Sequence, residues 1–190
     1  MEAAQAILTR QSPNRLLDPA PPDDVIDAAL RAANAAPDHG LLRPWRFFPI
    51  GGDDGLHLGE LLAERLRLRS PDAAAADLER ERSRPLRAPL IVAVAARLRQ
   101  DHPKVPAVEQ VLATGAAIQN MLVTIHAAGY AAMWKTGPAA HDDFVKKSFG
   151  LEPWDVLAGF VYVGTAAERA RSKPRPETAE VTQRWPRATQ

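Results

Sequence analysis

The sequence predicts one domain in which strands alternate with helices, a pattern that by default favours an α/β fold with a parallel sheet. Its 190 residues, 46% hydrophobic and 25% charged, suit a single globular domain with one buried core. Apolar or aromatic runs of strand length are separated by longer stretches with helical spacing. The 17 prolines come in clusters that mark the ends of these elements.

The first quarter of the chain predicts two helices and one strand. Helix-favouring residues without a breaker indicate a helix over about residues 2–8, and a polar turn follows at residues 10–15. A second helix begins at Asp23, because acidic side chains favour the positive end of a helix, and it ends before Pro37. Residues 45–50 are aromatic and branched, which predicts a strand, and a proline inside it indicates a sheet edge or a bulge.

The rest of the chain predicts three more strands and four more helices. Residues 56–69 and 72–83 have the charge pattern of solvated surface helices. Residues 88–96 form an apolar run typical of a strand buried on both faces. The remaining elements are a long apolar helix over 106–126, strands over 130–134 and 156–164, a helix over 144–149 closed by Gly150, and a surface-draped or partly disordered tail over 165–190.

The composition excludes several classes of function. A net charge of +1 provides no strong field for nucleic acid or anionic lipid. Without cysteine, the chain has no disulfide, thiolate nucleophile or cysteine-based metal site. Because it has no apolar run long enough for a membrane span and no signal-peptide pattern, we expect a cytoplasmic protein. None of the predicted strands is followed by the glycine-rich turn of a standard dinucleotide or P-loop site, so such a site is not expected.

Two polar stretches near the N-terminus carry residues that could do chemistry. In the turn at residues 10–15, arginines match the geometry of a phosphate, and serine, glutamine and asparagine offer donors to a heterocycle. A solvated surface turn is the alternative. Asp38 and His39 could form a base with its orienting carboxylate, or a metal site with His102 and residues 141–143, although no metal-binding spacing supports this.

A third stretch, residues 129–138, carries a lysine and a threonine beside a Gly-Pro pair, which an ordinary strand end also explains. Taken together, the three stretches resemble the nitroreductase family of flavin enzymes, in particular its short YdjA-like branch, over about residues 5–166. The matching stretches occur in the family's order: Arg10-Gln11-Ser12 with Arg15, Arg31-Ala32-Ala33, Ala36-Pro37-Asp38-His39, Pro44-Trp45-Arg46-Phe47, Arg87-Ala88-Pro89-Leu90-Ile91, Glu109-Gln110, and residues 129–137 and 159–164.

The resemblance implies a different fold from the default. It implies an α+β domain whose mixed, mostly antiparallel central sheet is surrounded by helices and completed by dimerisation. The protein would be an FMN-binding homodimer with two flavins at the subunit interface. Residues 1–166 would form the nitroreductase-like FMN-binding domain, and residues 167–190 a charged, proline-containing tail.

The resemblance also assigns residues to the flavin. Arg10, Gln11 and Ser12 match the family's flavin-contacting turn, with Arg10 on the phosphate. Asn14 stands where many relatives have a lysine, so it would hydrogen-bond flavin O2 without bringing a charge. His39 matches a loop that the second subunit lends to the flavin.

Two further segments are assigned in the same way. Trp134, Lys135, Thr136 and Gly137 match the segment along the isoalloxazine, where a backbone amide is expected near N5. Residues 124–129 match the place where the short branch contacts the nicotinamide cofactor. Larger relatives also hold the phosphate with basic residues near the C-terminus, a role open to three basic side chains of the tail, Arg169, Arg171 and Lys173.

The function implied by the resemblance is that of an FMN-dependent oxidoreductase. NADH or NADPH would give a hydride to flavin N5, and a small-molecule acceptor such as a nitroaromatic, quinone or activated alkene would then take the electrons. Because the flavin does the chemistry, no side chain is assigned as general acid or base. FMN is expected in preference to FAD, since no dinucleotide-binding fingerprint is present. The alternatives are a non-catalytic flavin-binding or storage protein and a metal-dependent hydrolase using His39, His102 and His141.

Overall fold

The structure, a computed structural model, describes residues 1–13, 15–168 and 174–185. Its helices are α1 (Ala3–Thr9), α2 (Asp23–Asn34), α3 (Asp53–Arg69), α4 (Ala75–Ser83), α5 (Ala107–Ala127), α6 (Asp143–Ser148) and α7 (Thr178–Val181). Its strands are β1 (Leu16–Leu17), β2 (Trp45–Gly51), β3 (Leu90–Ala96), β4 (Ala131–Lys135) and β5 (Val156–Ala166). Short 3₁₀ turns lie at His39–Leu41, Pro85–Arg87 and Pro138–His141.

All the strand pairs of the described residues are antiparallel. β2 pairs with β3, β3 pairs with β5, and the other edge of β5 pairs with β4 and then with the short β1. Because β3 and β4 are both antiparallel to β5, they run in the same direction, and β5 is inserted between them. The default prediction of a parallel sheet is therefore wrong, and the mostly antiparallel sheet implied by the resemblance is confirmed.

Helices cover both faces of the sheet. α2 and α5 pack against one face, whose buried side chains include Trp45, Val92, Val94, Val161 and Val163. α3 and α6 pack against the other, whose buried side chains include Ile91, Ala93, Phe160 and Tyr162. β3 lies between these two layers and is buried on both faces, as its apolar run predicts.

Most of the predicted elements form within a few residues of their expected bounds, with three differences. Helix α3 begins at Asp53, earlier than expected, directly after Gly52, whose positive φ of 54° makes the turn out of β2. Strand β1 was not predicted, because two residues show no alternation; they pair with the end of β5. Helix α7 gives the tail one turn of regular structure, and a capping box from Glu177 caps its N-terminus. Pro49 lies in β2 at the sheet edge, as predicted.

No helix in the described part of the chain combines the length and the apolar character needed to cross a membrane.

Candidate functional site

The turn after α1 leaves one arginine with an unused donor. Arg10 is half-buried at the end of the helix, where its backbone N–H donates to the carbonyl of Ala6 at 3.1 Å. Its guanidinium Nη1 donates to the Ser12 hydroxyl at 3.2 Å, whereas its buried Nε has no hydrogen-bond partner. A buried donor without a partner costs about 1–3 kcal/mol, so this site is suited to an acceptor from a ligand.

A second arginine lies against the first. Arg175, from the tail, donates from Nη2 to the carbonyl oxygens of Leu8 and Arg10, each at 3.3 Å. Burial, followed by the charge of Arg175, lowers the pKa of Arg10. In the described ranges no carboxylate forms an ion pair with either guanidinium. Two adjacent cations without a counter-charge make a site for an anion.

A histidine from the longest described helix lies near Arg10. His126 lies in the last turn of α5, and its Nε2 is 2.9 Å from the Thr9 hydroxyl oxygen of α1. Burial and then the charge of Arg10 lower its pKa, so the ring is neutral at pH 7. We refer to Arg10, Arg175 and His126 as the basic cluster.

The end of β4 presents the second group of predicted residues. Trp134 is 39% exposed, and its indole N–H donates to the Ala158 carbonyl at 2.9 Å. Gly159 makes this position possible, because a Cβ there would lie 2.5 Å from the Lys135 carbonyl oxygen and 2.7 Å from the indole nitrogen. Gly137 has a φ of 112°, which side-chain-bearing residues rarely adopt, so glycine is needed where the chain leaves β4.

Lys135 and Thr136 line a cleft of about 200 Å³, which we refer to as the β4 cleft. Its wall also carries Arg84 and Arg87 beside the hydroxyl of Tyr162, and apolar side chains of α3, β4 and β5 complete it. Burial raises the pKa of Tyr162 despite the opposing charges of the two arginines, so its hydroxyl stays protonated at neutral pH. The β4 cleft is therefore rich in donors, which suits the oxygen and nitrogen edge of a heterocycle.

The sequence analysis gave no role to three of these cleft residues, although Arg87 falls in one of the stretches that match the family. The alternation of β5 could have placed Tyr162 on the same face as Phe160, because residues two apart share a face. Arg84 and Arg87 reach the cleft from the 3₁₀ turn at Pro85–Arg87, which no local pattern links to β4. Arg84 is held there by an ion pair of 3.0 Å with Glu81, a buried carboxylate whose second oxygen has no partner.

His39 lies far from the basic cluster within one chain. It sits in a 3₁₀ turn, with its side chain 58% exposed, and its Nδ1 is 2.6 Å from the carboxylate of Glu109. Glu109 is in the first turn of α5 and His126 in the last, so a rise of 1.5 Å per residue separates them by about 25 Å. One chain alone therefore does not bring His39 to Arg10.

The other interpretations of the histidines receive no support from the contacts. The carboxylate of Asp38 accepts from the backbone N–H of Arg43 at 2.6 Å, and His39 Nδ1 contacts Glu109 rather than Asp38. The ring of His102 accepts backbone N–H groups of its own loop. Asp142 is paired with two arginines of α3. Among residues 1–13, 15–168 and 174–185, no group of three or more metal-ligating side chains is placed to hold a metal ion.

Four predicted residues lie outside the described residues. Asn14 is one, and the three basic tail residues Arg169, Arg171 and Lys173 are the others. Arg175, which the sequence analysis did not single out, is the described tail residue that reaches Arg10.

Comparison with known proteins matches most of the chain to one family. The model described as "Nitroreductase family" matches residues 7–165, from α1 to the end of β5. The "Putative NAD(P)H nitroreductase YdjA" of Escherichia coli (strain K12) is 34% identical over 170 residues, which cover 90% of this chain and 91% of the relative. A "Putative NAD(P)H nitroreductase" of Haemophilus influenzae is 29% identical over 175 residues, covering 92% and 94% of the two chains.

Solved structures share the fold. A "putative nitroreductase in complex with fmn" from Desulfovibrio desulfuricans is 26% identical, with a TM-score of 0.75 and 98% of each chain covered. A nitroreductase-like family protein from Bacillus cereus has a TM-score of 0.80 at 21% identity, covering 96% of this chain and 95% of its own. The α+β architecture with an antiparallel sheet is thus that of these proteins.

Proposed function

Because the chain belongs to the nitroreductase family, we propose that it is an FMN-dependent oxidoreductase that takes electrons from NADH or NADPH. The observation that carries the proposal is the basic cluster. Arg10 has a buried donor without a partner, and Arg175 lies beside it with no carboxylate paired to either within the described chain. A phosphate monoester would satisfy that donor and offset both charges.

The residues after α1 would hold the phosphate end of FMN. Arg10 and Arg175 supply charge, and Gln11 and Ser12 supply neutral hydrogen-bonding groups in the same turn. Asn14, in that turn, would reach flavin O2 with an amide. FMN fits better than FAD, since a single phosphate needs only this turn and the chain has no fingerprint for an adenylate half.

The end of β4 would hold the ring. Trp134 to Gly137 would run along the isoalloxazine and would offer a backbone amide to N5, and the positive φ of Gly137 turns the chain at the end of this segment. Lys135 and Thr136 lie at the β4 cleft, whose arginines and tyrosine offer donors to the pyrimidine edge of the ring. The protein would thus orient the ring and tune its electronics.

When bound, FMN supplies the redox chemistry, accepting a hydride from NADH or NADPH and passing the electrons to a nitroaromatic, quinone or related oxidised acceptor in a ping-pong cycle. The residues of this chain hold the ring and its phosphate in place, and none of them is assigned a proton transfer in that cycle. Residues 124–129, at the end of α5, include His126 of the basic cluster, and this segment would contact the nicotinamide cofactor.

The proposal includes a homodimer. His39 and the basic cluster lie at opposite ends of α5, so a second copy is needed to bring a His39 to each flavin. Around His39 the surface is apolar: Leu41 is 76% exposed, Val108 62% and Leu112 66%. A stable interface of this kind buries on the order of 2,000 Å² or more. In such a dimer residues 1–166 form the flavin-binding domain, and the tail of 167–190 adds Arg175.

Purification followed by turnover assays tests the proposal. We expect the full chain to carry a yellow cofactor whose mass, after release by heat, is that of FMN. NADH or NADPH should then support reduction of a nitroaromatic and a quinone. A flavin-storage protein would carry the same colour without turnover, and a metal-dependent hydrolase would be colourless and inactivated by a chelator.

A further inference from the structure

The hydrogen bonds around His126 define which of its ring nitrogens carries a hydrogen. The assignment of residues to FMN given above leaves this side chain without a role. The Thr9 hydroxyl donates its one hydrogen to the Gln5 carbonyl, at 2.7 Å. Its oxygen therefore accepts from His126 Nε2, 2.9 Å away, and that nitrogen must carry a hydrogen. It follows that the nitrogen that gains or loses a proton is Nδ1.

Nδ1 of His126 is free to take up a proton. In the part of the chain that the structure describes, it has no hydrogen-bond partner. The charged group that acts on the ring is Arg10, at the end of α1, and Arg175 of the tail lies against Arg10 in turn. The last turn of α5 contributes the negative end of its dipole, which favours a cation. Without an anion, burial and Arg10 keep the ring neutral.

We propose that His126 is the third phosphate-binding group of the basic cluster and that it takes up one proton at Nδ1 when the phosphate of FMN binds. The inference rests on the proposed function, since it concerns the same cofactor. A dianion held by Arg10 and Arg175 offsets the positive charge that opposes the imidazolium, and it attracts the imidazolium directly. The proton comes from solvent and forms the Nδ1–H bond, and no electron is transferred.

A proton taken up on binding makes FMN affinity depend on pH in a specific direction. The complex holds more protons than its separate components, so affinity rises as pH falls, by up to tenfold per pH unit. The rise is confined to pH values above about 6, because a phosphate monoester itself takes up a proton near that pH. Riboflavin has no phosphate, so its affinity should not rise.

The experiment is a titration of the flavin-free full chain with FMN and with riboflavin, followed by flavin fluorescence, between pH 6.5 and 8.5. His126→Gln is the test variant, because its amide can donate to Thr9 as Nε2 does but cannot take up a proton. His57→Gln is the matched control, since His57 is an exposed histidine of α3 with only a 3.8 Å contact to Asp54. Calorimetry in buffers of different ionisation enthalpy counts the protons taken up by the unaltered chain, independently of any variant.

We expect FMN to bind several-fold more tightly at pH 6.5 than at pH 8.5 in the unaltered chain and in His57→Gln, with net proton uptake. We expect the dependence to be absent for riboflavin and in His126→Gln. Equal pH dependence in His126→Gln and the unaltered chain, or no proton uptake, would overturn this inference while leaving FMN binding intact. A chain that binds no FMN at any pH would overturn the proposed function and this inference together.

Discussion

Arg175 and Arg10 lie in contact although both are cations, with the Arg175 guanidinium 3.3 Å from the Arg10 carbonyl oxygen. The two residues are 165 positions apart in sequence, so the tail folds back over the end of α1. Like charges placed side by side repel, and the charge of Arg175 helps to lower the pKa of Arg10. Such a pair is stabilised when an anion binds between or beside its members, which is the physical basis of the proposed phosphate site.

Arg10→Ala should weaken FMN binding by about tenfold to a hundredfold. The variant removes a hydrogen bond to a charged group, worth about 1.5–3 kcal/mol, and each 1.4 kcal/mol is one decade in affinity. The flavin-free chain should lose no more than about 0.5 kcal/mol of stability, since among the described residues Arg10 forms no ion pair and its buried Nε has no hydrogen-bond partner to lose. Fluorescence titration measures the first effect and urea unfolding the second. Arg15→Ala, an exposed residue of the same turn, is the control and should bind FMN as the unaltered chain does.

Arg175→Ala should weaken FMN binding by about tenfold, because a second charge-assisted contact to the phosphate is lost. In combination with Arg10→Ala, the loss should be less than the sum of the two single losses, since both side chains act on the same phosphate. The control is Arg184→Ala, which removes an exposed arginine from the same tail. Riboflavin affinity should be unaffected by the Arg175 variant. A drop in riboflavin affinity equal to that for FMN would place Arg175 away from the phosphate.

The flavin-free chain should lose stability in acid through His126. Its pKa in the folded chain is lowered from 6.5 by burial and by Arg10, so the unfolded chain binds a proton more readily. The stability contributed by the neutral ring is thus present above about pH 6.5 and is lost as pH falls below it. Urea unfolding at pH 7.5 and 5.5 measures this slope. His126→Gln should have a shallower slope over that range, and an unchanged slope would show that His126 does not titrate as described.

Arg87→Met should lower the two-electron midpoint potential of bound FMN. A cation at the pyrimidine edge stabilises the negative charge of the reduced ring. Because Arg87 is exposed, we expect this stabilisation of the reduced ring to be about 1 kcal/mol, so that its loss lowers the midpoint potential by about 20 mV. The potential is measured by spectroelectrochemistry of the reconstituted chain. Arg80→Met, on α4 and paired with Asp77, is the control and should leave the potential unchanged. An unchanged midpoint potential in Arg87→Met would show that the β4 cleft does not lie at the flavin ring.

Asp142→Asn should destabilise the fold by about 2–3 kcal/mol, below the range for a fully buried pair because Arg69 is partly exposed. Burial alone would raise the pKa of Asp142, but hydrogen bonds from Arg69, the Phe144 N–H and Arg65 outweigh it and lower the pKa. The stabilisation is therefore present above the unfolded pKa of about 3.9 and is lost as pH falls through the lower folded value. Urea unfolding at pH 7 measures the loss. Asp143→Asn, an exposed neighbour, should have a much smaller effect.

Local patterns in the sequence were sufficient for most of the elements. The uninterrupted apolar run of β3 and the long apolar stretch of α5 correspond to a strand buried on both faces and to the longest described helix. The order of the strands could not be predicted from spacing, because the insertion of β5 between β3 and β4 depends on contacts over long distances in the chain. The resemblance supplied what the periodicity could not, namely the antiparallel sheet.

One part of the candidate site could also be predicted from the sequence, and another part could not. Arg10 could be selected from its turn, because two arginines and neutral donors fall within six residues. Its neighbours could not, since Arg175 and His126 come to α1 from the tail and from the end of α5. The pairing of Thr9 with His126 joins residues 117 positions apart. Such contacts are set by packing of distant elements, on which a local pattern carries no information.

An anaerobic titration of the purified, FMN-reconstituted full chain tests the central claim most directly. The flavin absorbance is followed while NADH or NADPH is added in known amounts, and an oxidised acceptor is then added. We predict that about one equivalent of one of the two nucleotides bleaches one FMN per chain, and that a nitroaromatic or quinone restores the colour. A chain that does not retain FMN, or whose bound FMN stays oxidised with both nucleotides, would contradict the account.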